Sequence, residues 1–126
     1  MKDFRNLRVW EKAHCLTLAI YEASGRFPRY ELFGLTSQMP RCSASICTNI
    51  AEGCGKRGNN EFQRYLQIAS GSASERYHLL LARDLGFVED VDYQRLSSEL
   101  LQVRKMLTSV ASESTKRPSN GLNVKC

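Results

Sequence analysis

The sequence predicts an all-α fold, an antiparallel up-down-up-down four-helix bundle assembled as a homo-oligomer. Three observations predict the bundle. Four segments repeat apolar residues at spacings of three and four, no segment alternates apolar and polar residues as a strand would, and the connections are short and marked by Gly and Pro. The chain of 126 residues suits one domain.

The first helix is predicted from about Asn6 to Ser24, with Leu7, Trp10, His14, Leu18 and Tyr21 as its stripe and Gly25 and Pro28 as its stop. The second is predicted from about Leu35 to Ala51, with Leu35, Met39, Cys42, Ile46, Ile50 and Cys54 in register. Pro40 is awkward there. It requires either a late helix start, with Pro40 in the first turn, or a local kink. The third runs from about Glu61 to Leu85, opened by an Asn60–Gln63 capping pair and closed by Gly86. Its stripe is Phe62, Leu66, Ala69, Ala73, Tyr77 and Leu80. The fourth runs from about Tyr93 to Ala111 with Asp92 as N-cap, and Leu96, Leu100, Val103, Leu107 and Val110 form a heptad seam. Residues 1–112 are thus the bundle, and 113–126 a polar tail without apolar period, expected to be disordered.

The stretch GCGKRG, Gly53 to Gly58, spells the dinucleotide fingerprint G-x-G-x-x-G. That fingerprint requires a strand before it, and a helical pattern stands there instead. The glycines read as a corner between two helices that displays Lys56 and Arg57. No cofactor is expected.

Catalytic and metal sites find little support. The five cysteines are odd in number and form no CxxC pair, so they read as structural thiols and not as a disulfide framework or a zinc site. Neither His14 nor His78 has Cys, Asp or Glu four residues on, the spacing that a helical metal pair would show. The expectation is a non-enzymatic protein with no metal and no small-molecule substrate. MKDFRNLRVW has no apolar signal region, and the longest aliphatic run is Leu79 to Ala82. The expected location is the cytoplasm, with no membrane contact.

Two features point to partners. On the second helix Gln38, Arg41, Ser45, Asn49 and Glu52 form a polar stripe, and the third offers Ser70, Gly71, Ser72, Ser74 and Glu75. Such residues permit close helix approach or fix register, so Arg41, Ser45, Asn49, Glu52, Gly71, Ser74 and Glu75 are candidates for an interhelix or intersubunit seam. The alternative is a solvated face.

The charge is also uneven. An up-down bundle gathers Lys2, Arg5, Arg8, Lys56, Arg57, Arg64, Lys116 and Arg117 at one end, against Asp3, Glu52, Glu61 and Glu113. The other end holds four arginines against six acids. A basic end suits a phosphate backbone, and the candidate RNA or DNA contacts are Arg5, Arg8, Lys56, Arg57 and Arg64. Ordinary solvated charge is the competing reading.

FRNLRVWEKA, FPRYELFGLTSQMPRCSASICTNIAEG, FQRYLQIASGSASE and LLLARDLGF together resemble the four-helix-bundle proteins encoded in intervening sequences of bacterial 23S rRNA genes. NIAEG (Asn49 to Gly53) and ASGSASE (Ala69 to Glu75) are the most specific parts. The resemblance covers roughly Phe4 to Leu107. It implies an up-down four-helix fold and a homopentamer with a central channel. It also implies kinship with accessory proteins of diversity-generating retroelements, which are basic and associate with nucleic acid. Pro40 stands where the family usually has a basic residue beside Arg41, which weakens a phosphate role for that helix. Cys47 stands where proline or another small or apolar residue is usual.

Overall fold

The computed structural model describes residues 3–70 and 74–114, with side chains described to residue 112. The described residues form the helical segments α1 (Arg8–Ser24), α2 (Leu35–Cys54), α3 (Asn59–Ser70), α4 (Ser74–Asp84) and α5 (Asp90–Ser114). Short 3-10 turns at Phe4–Asn6 and Arg29–Glu31 precede α1 and α2. No strand occurs among the described residues. The predicted third helix corresponds to α3 and α4, which together make one side of a four-sided bundle. Around the bundle, α1 packs on α2 and α5, and the α3 and α4 pair packs on the same two. Of the tail expected at 113–126, Glu113 and Ser114 are helical and end α5, and 115–126 lie outside the described residues.

The α1 stripe is the clearest correction. Val9, Ala13, Leu16, Ile20 and Ala23 are buried, whereas Leu18 and Tyr21 are 52% and 56% exposed. Both sets follow a helical period. Of the predicted stripe Leu7 is buried and Trp10 and His14 are half-buried. Trp10 stacks on His14 with centroids 4.9 Å apart, and Phe4 meets Trp10 edge-on at the same distance.

Helix α2 begins at Leu35 and runs through Pro40, so a late start is excluded. Proline there removes the N–H that the Thr36 carbonyl would otherwise receive. The start is held instead by Glu31, whose Oε1 accepts the Leu35 N–H at 3.1 Å. A Cβ on Gly34 would sit 2.5 Å from that oxygen, so glycine keeps the cap in place.

The close contact between α2 and α3 rests on Gly53. A Cβ there would lie 2.9 Å from the Tyr65 Cβ and 3.3 Å from the Phe62 ring. This explains the glycine of NIAEG by packing.

Two end predictions fail. Asn60 is not the N-cap of α3, because α3 already begins at Asn59, and the Gln63 Nε2 donates to the Ala111 carbonyl of α5 at 3.2 Å. Asp92 is not an N-cap, because α5 already begins at Asp90. Gly86 does close α4, at φ 79°. The Phe87 and Gly86 amides return to the Ala82 and Arg83 carbonyls, the paired bonds of a Schellman ending.

The α5 seam forms as predicted, with Leu96, Leu100, Val103 and Leu107 buried. In α3 and α4 the buried face changes phase. Phe62, Leu66 and Ala69 are buried, then Glu75, Leu79 and Ala82, while Tyr77 is 60% exposed. One unbroken 3.6-residue register cannot put both sets on one face.

Candidate functional site

The glycine corner sits between α2 and α3, with Gly58 at φ 84° in the left-handed region. It presents Lys56 and Arg57 to solvent. Nearly two turns into α3, Tyr65 gathers two cations. The Lys56 Nζ lies 5.6 Å from its ring centroid, and the Arg64 guanidinium carbon 5.1 Å. Each such contact stabilises by about 0.5–1 kcal/mol at an exposed site. The ring thereby fixes two long side chains in place and leaves their outer donors in water. Arg64 also reaches Glu61 at 3.7 Å.

Arg5 and Arg8 are placed differently. Arg5 bonds Asp3 through both backbone and side chain, at 3.0 and 3.3 Å, and that bonding holds the Asp3 carboxyl below its usual value. Arg8 is the first residue of α1 and is exposed. A helix N-terminus favours acid, so helix stability does not account for a cation there. Lys56, Arg57 and Arg64 are thus brought together by one corner, while Arg5 and Arg8 belong to the chain entry.

The predicted seam divides. Arg41, Ser45 and Glu52 are exposed on α2 and Asn49 is half-buried. Ser45 and Asn49 bond back to carbonyls of their own helix. Ser74 is exposed, and Gly71 lies outside the described residues. Glu75 alone points inward, at 0% exposure.

Glu75 belongs to a buried polar cluster that the apolar pattern conceals. Neither of its carboxylate oxygens has a hydrogen-bond partner, and neither has the His78 Nδ1, which is 3.6 Å from Oε1. Burial pushes the Glu75 carboxyl up to about 8 and the His78 imidazole down. At neutral pH the pair is therefore a neutral acid beside a neutral imidazole, not an ion pair. Nearby, the Thr17 hydroxyl donates to the Ala13 carbonyl and shares a 2.8 Å bond with Ser43. Its oxygen also lies 3.6 Å from the Cys47 sulfur. Burial raises the Cys47 thiol, and burial followed by the Glu75 charge raises Cys42. Cys42 and Cys47 are free thiols, as expected, and Cys54 is buried in the core. Cys15 is disulfide-bonded, which corrects that expectation for one cysteine.

Two signals could have found this cluster. Ser43 follows Met39 by four residues and precedes Ile46 by three, which is a core position. Glu75 and His78 also spell a Glu-x-x-His at the spacing of one helix turn, as Glu11 and His14 do. No group of three or more His, Cys, Asp or Glu stands close enough to hold a metal among the described residues. A groove of about 590 Å³ opens between α4 and α5, but it is lined by the other face of α4, through Arg76, Tyr77 and Leu80, and not by Glu75.

Fold and site together define a helical bundle with a sealed polar centre and a cationic glycine corner. No helix among the described residues is long and apolar enough to cross a membrane. The family model described as 23S rRNA-intervening sequence protein matches residues 5–109, and the chain belongs to that family. No curated protein matches it.

Proposed function

We infer that the chain is a non-enzymatic, cytoplasmic, homo-oligomeric up-down bundle that binds nucleic acid through its basic corner. The up-down course is supported by the connections. Phe27 and Tyr30 meet Phe87 at 5.4 and 6.2 Å, which pairs the connection before α2 with the one before α5. The Gln63–Ala111 bond pairs the start of α3 with the end of α5. On this course Arg5 and Arg8 join Lys56, Arg57 and Arg64 at one end.

The observation that carries the binding reading is Tyr65 with Lys56 and Arg64 on its ring and Arg57 exposed beside it. Cations held over an aromatic face suit a phosphate backbone with adjacent bases, without sequence preference. Copies arranged around one axis, as the pentamer of the family would be, multiply this corner and raise avidity. The test is retention of generic RNA and DNA at low and moderate salt. Micromolar protein that retains neither at low salt refutes the reading.

A protein-interaction or scaffold module is the second reading, favoured by large apolar side chains left in solvent, with Phe33 90% exposed. A stable oligomer without nucleic-acid affinity would support it.

A further inference from the structure

The cations of the bundle are sorted by side as well as by end. Helix α5 runs unbroken from Asp90 to Ser114 and packs on both α3 and α4. Its residues Ser97, Ser98 and Leu101 line one groove with Arg76 and Tyr77, so this edge of α5 faces α4. One heptad on, Arg104, Lys105 and Thr108 fall on the same edge. The next heptad reaches Ala111, whose carbonyl accepts the amide of Gln63, the neighbour of Arg64 on α3. Seven helical residues rise about 10 Å. Cations therefore stand at three levels along this side: Arg64, then Arg104 with Lys105, then Arg76.

These charges are left open by the fold. Arg76 and Lys105 are exposed and Arg104 is half-buried. None of the three forms an ion pair among the described residues. From Tyr93 to Ser112 the only acid on α5 is Glu99. It stands five residues before Arg104, about 140° round the helix, and so on another side. Helix stability does not account for the cations either. Arg76 is the third residue of α4, where a helix favours acid, and Arg104 and Lys105 lie well before the end of α5. Towards the other end the run stops, because Asp84 engages Arg83 and Asp92 engages Arg95.

We propose that the nucleic acid bound at the glycine corner continues along the side of the bundle between α5 and the α3 and α4 pair, with its phosphates meeting Arg104 and Lys105 and then Arg76. The inference rests on the binding reading above and gives that site a direction and a length. A phosphate backbone fits this surface because it repeats its charge at a fixed interval along a line. One strand of a duplex carries a phosphate about every 3.4 Å of axis, so levels about 10 Å apart meet roughly every third phosphate. The side chains between the levels, Gln67 on α3 and Ser98 and Thr108 on α5, are exposed and polar, and carry no charge that would repel the strand.

The test is the salt dependence of binding to a generic duplex by the full chain, read by fluorescence anisotropy. Arg76→Ala, Arg104→Ala and Lys105→Ala should each make the slope of log affinity against log salt shallower by about 0.9. Arg104→Lys keeps the charge and should keep the slope. Arg29→Ala removes one exposed cation from the turn before α2 and should leave the slope unchanged. If Arg104→Ala loses its helical circular dichroism, the exposed Arg76 and Lys105 decide the matter. Wild-type slopes in the side variants, beside shallower slopes in Arg57→Ala and Arg64→Ala, overturn the side path and leave the corner standing. An Arg29→Ala slope as shallow as theirs also overturns it, since net charge alone would then explain the effect. Wild-type protein that binds no duplex at low salt removes the corner and the path together.

Discussion

Replacing Glu75 with Gln should make the protein more stable at pH 8 than the wild type, and the gain should shrink as pH falls. The folded Glu75 carboxyl titrates at about 8, against an ordinary value of 4.5. An acid with a raised folded value keeps its full stabilising effect below the unfolded value. It loses that effect as pH climbs towards the folded one, because the unfolded chain releases its proton first. His78 acts oppositely. Its imidazole is shifted down from 6.5, so its contribution falls as pH drops below 6.5. Cys42 and Cys47 are raised from 9.0 and act only above the range of interest. The clean window for Glu75 is therefore pH 6.5 to 8. At 1.36 kcal/mol per pH unit, wild-type stability should fall by about 2 kcal/mol across it.

The Glu75→Gln side chain carries no titratable proton, so the variant should be flat there. Its amide still lacks partners, which costs about 1–3 kcal/mol at all pH values and lowers its whole curve without tilting it. At pH 8 the unfolded wild-type chain has gained up to about 4–5 kcal/mol by ionising this one group, which exceeds the amide penalty. The assay is urea unfolding at fixed protein concentration, since assembly would otherwise contribute. With an m-value of about 1–3 kcal/mol/M, the wild-type midpoint should move by about 0.7–2 M. A wild-type midpoint that stays level from pH 6.5 to 8, or a Glu75→Gln variant with the same slope, refutes the buried-acid argument.

Other consequences follow from packing. Gly53→Ala places a Cβ against Tyr65 and should cost about 1–3 kcal/mol in urea unfolding, through a forced shift of α3. Glu31→Ala removes the side-chain acceptor at the start of α2 and should cost about 1 kcal/mol by the same measurement. The two faces of α1 should separate sharply. Ile20→Ala should cost about 2–5 kcal/mol, while Tyr21→Ser should change unfolding by less than about 0.5 kcal/mol.

The contrast between α1 and α5 shows what an apolar pattern can convey. On α5 one heptad seam carries the apolar residues that become core, and the spacing alone identifies the buried face. On α1 two apolar sets compete, and the larger aromatic residues are the ones left partly outside. Trp and Tyr combine an apolar body with a polar group, so their presence on a face does not require burial. The glycine corner and its three cations were legible because a helix precedes Gly53 and forbids the dinucleotide turn. Tyr65 as the residue that gathers Lys56 and Arg64 was not, because a ring contact depends on where the corner aims the chain. The polar centre was hidden for another reason. Thr17 and Ser43 satisfy each other across two helices, and a pattern that sorts residues by polarity sends both to the surface. Glu75 was singled out as a seam residue, but its inward direction follows from the change of phase between α3 and α4.

The basic corner is the central claim, and the salt dependence of binding tests it most directly. Fluorescence anisotropy with a generic duplex, over a series of salt concentrations, gives the slope of log affinity against log salt. The account predicts a negative wild-type slope. Arg57→Ala and Arg64→Ala should each make it shallower by about 0.9, with equal losses on unrelated sequences. Binding with an unchanged slope in both variants, or no binding at low salt by micromolar wild-type protein, would contradict the account.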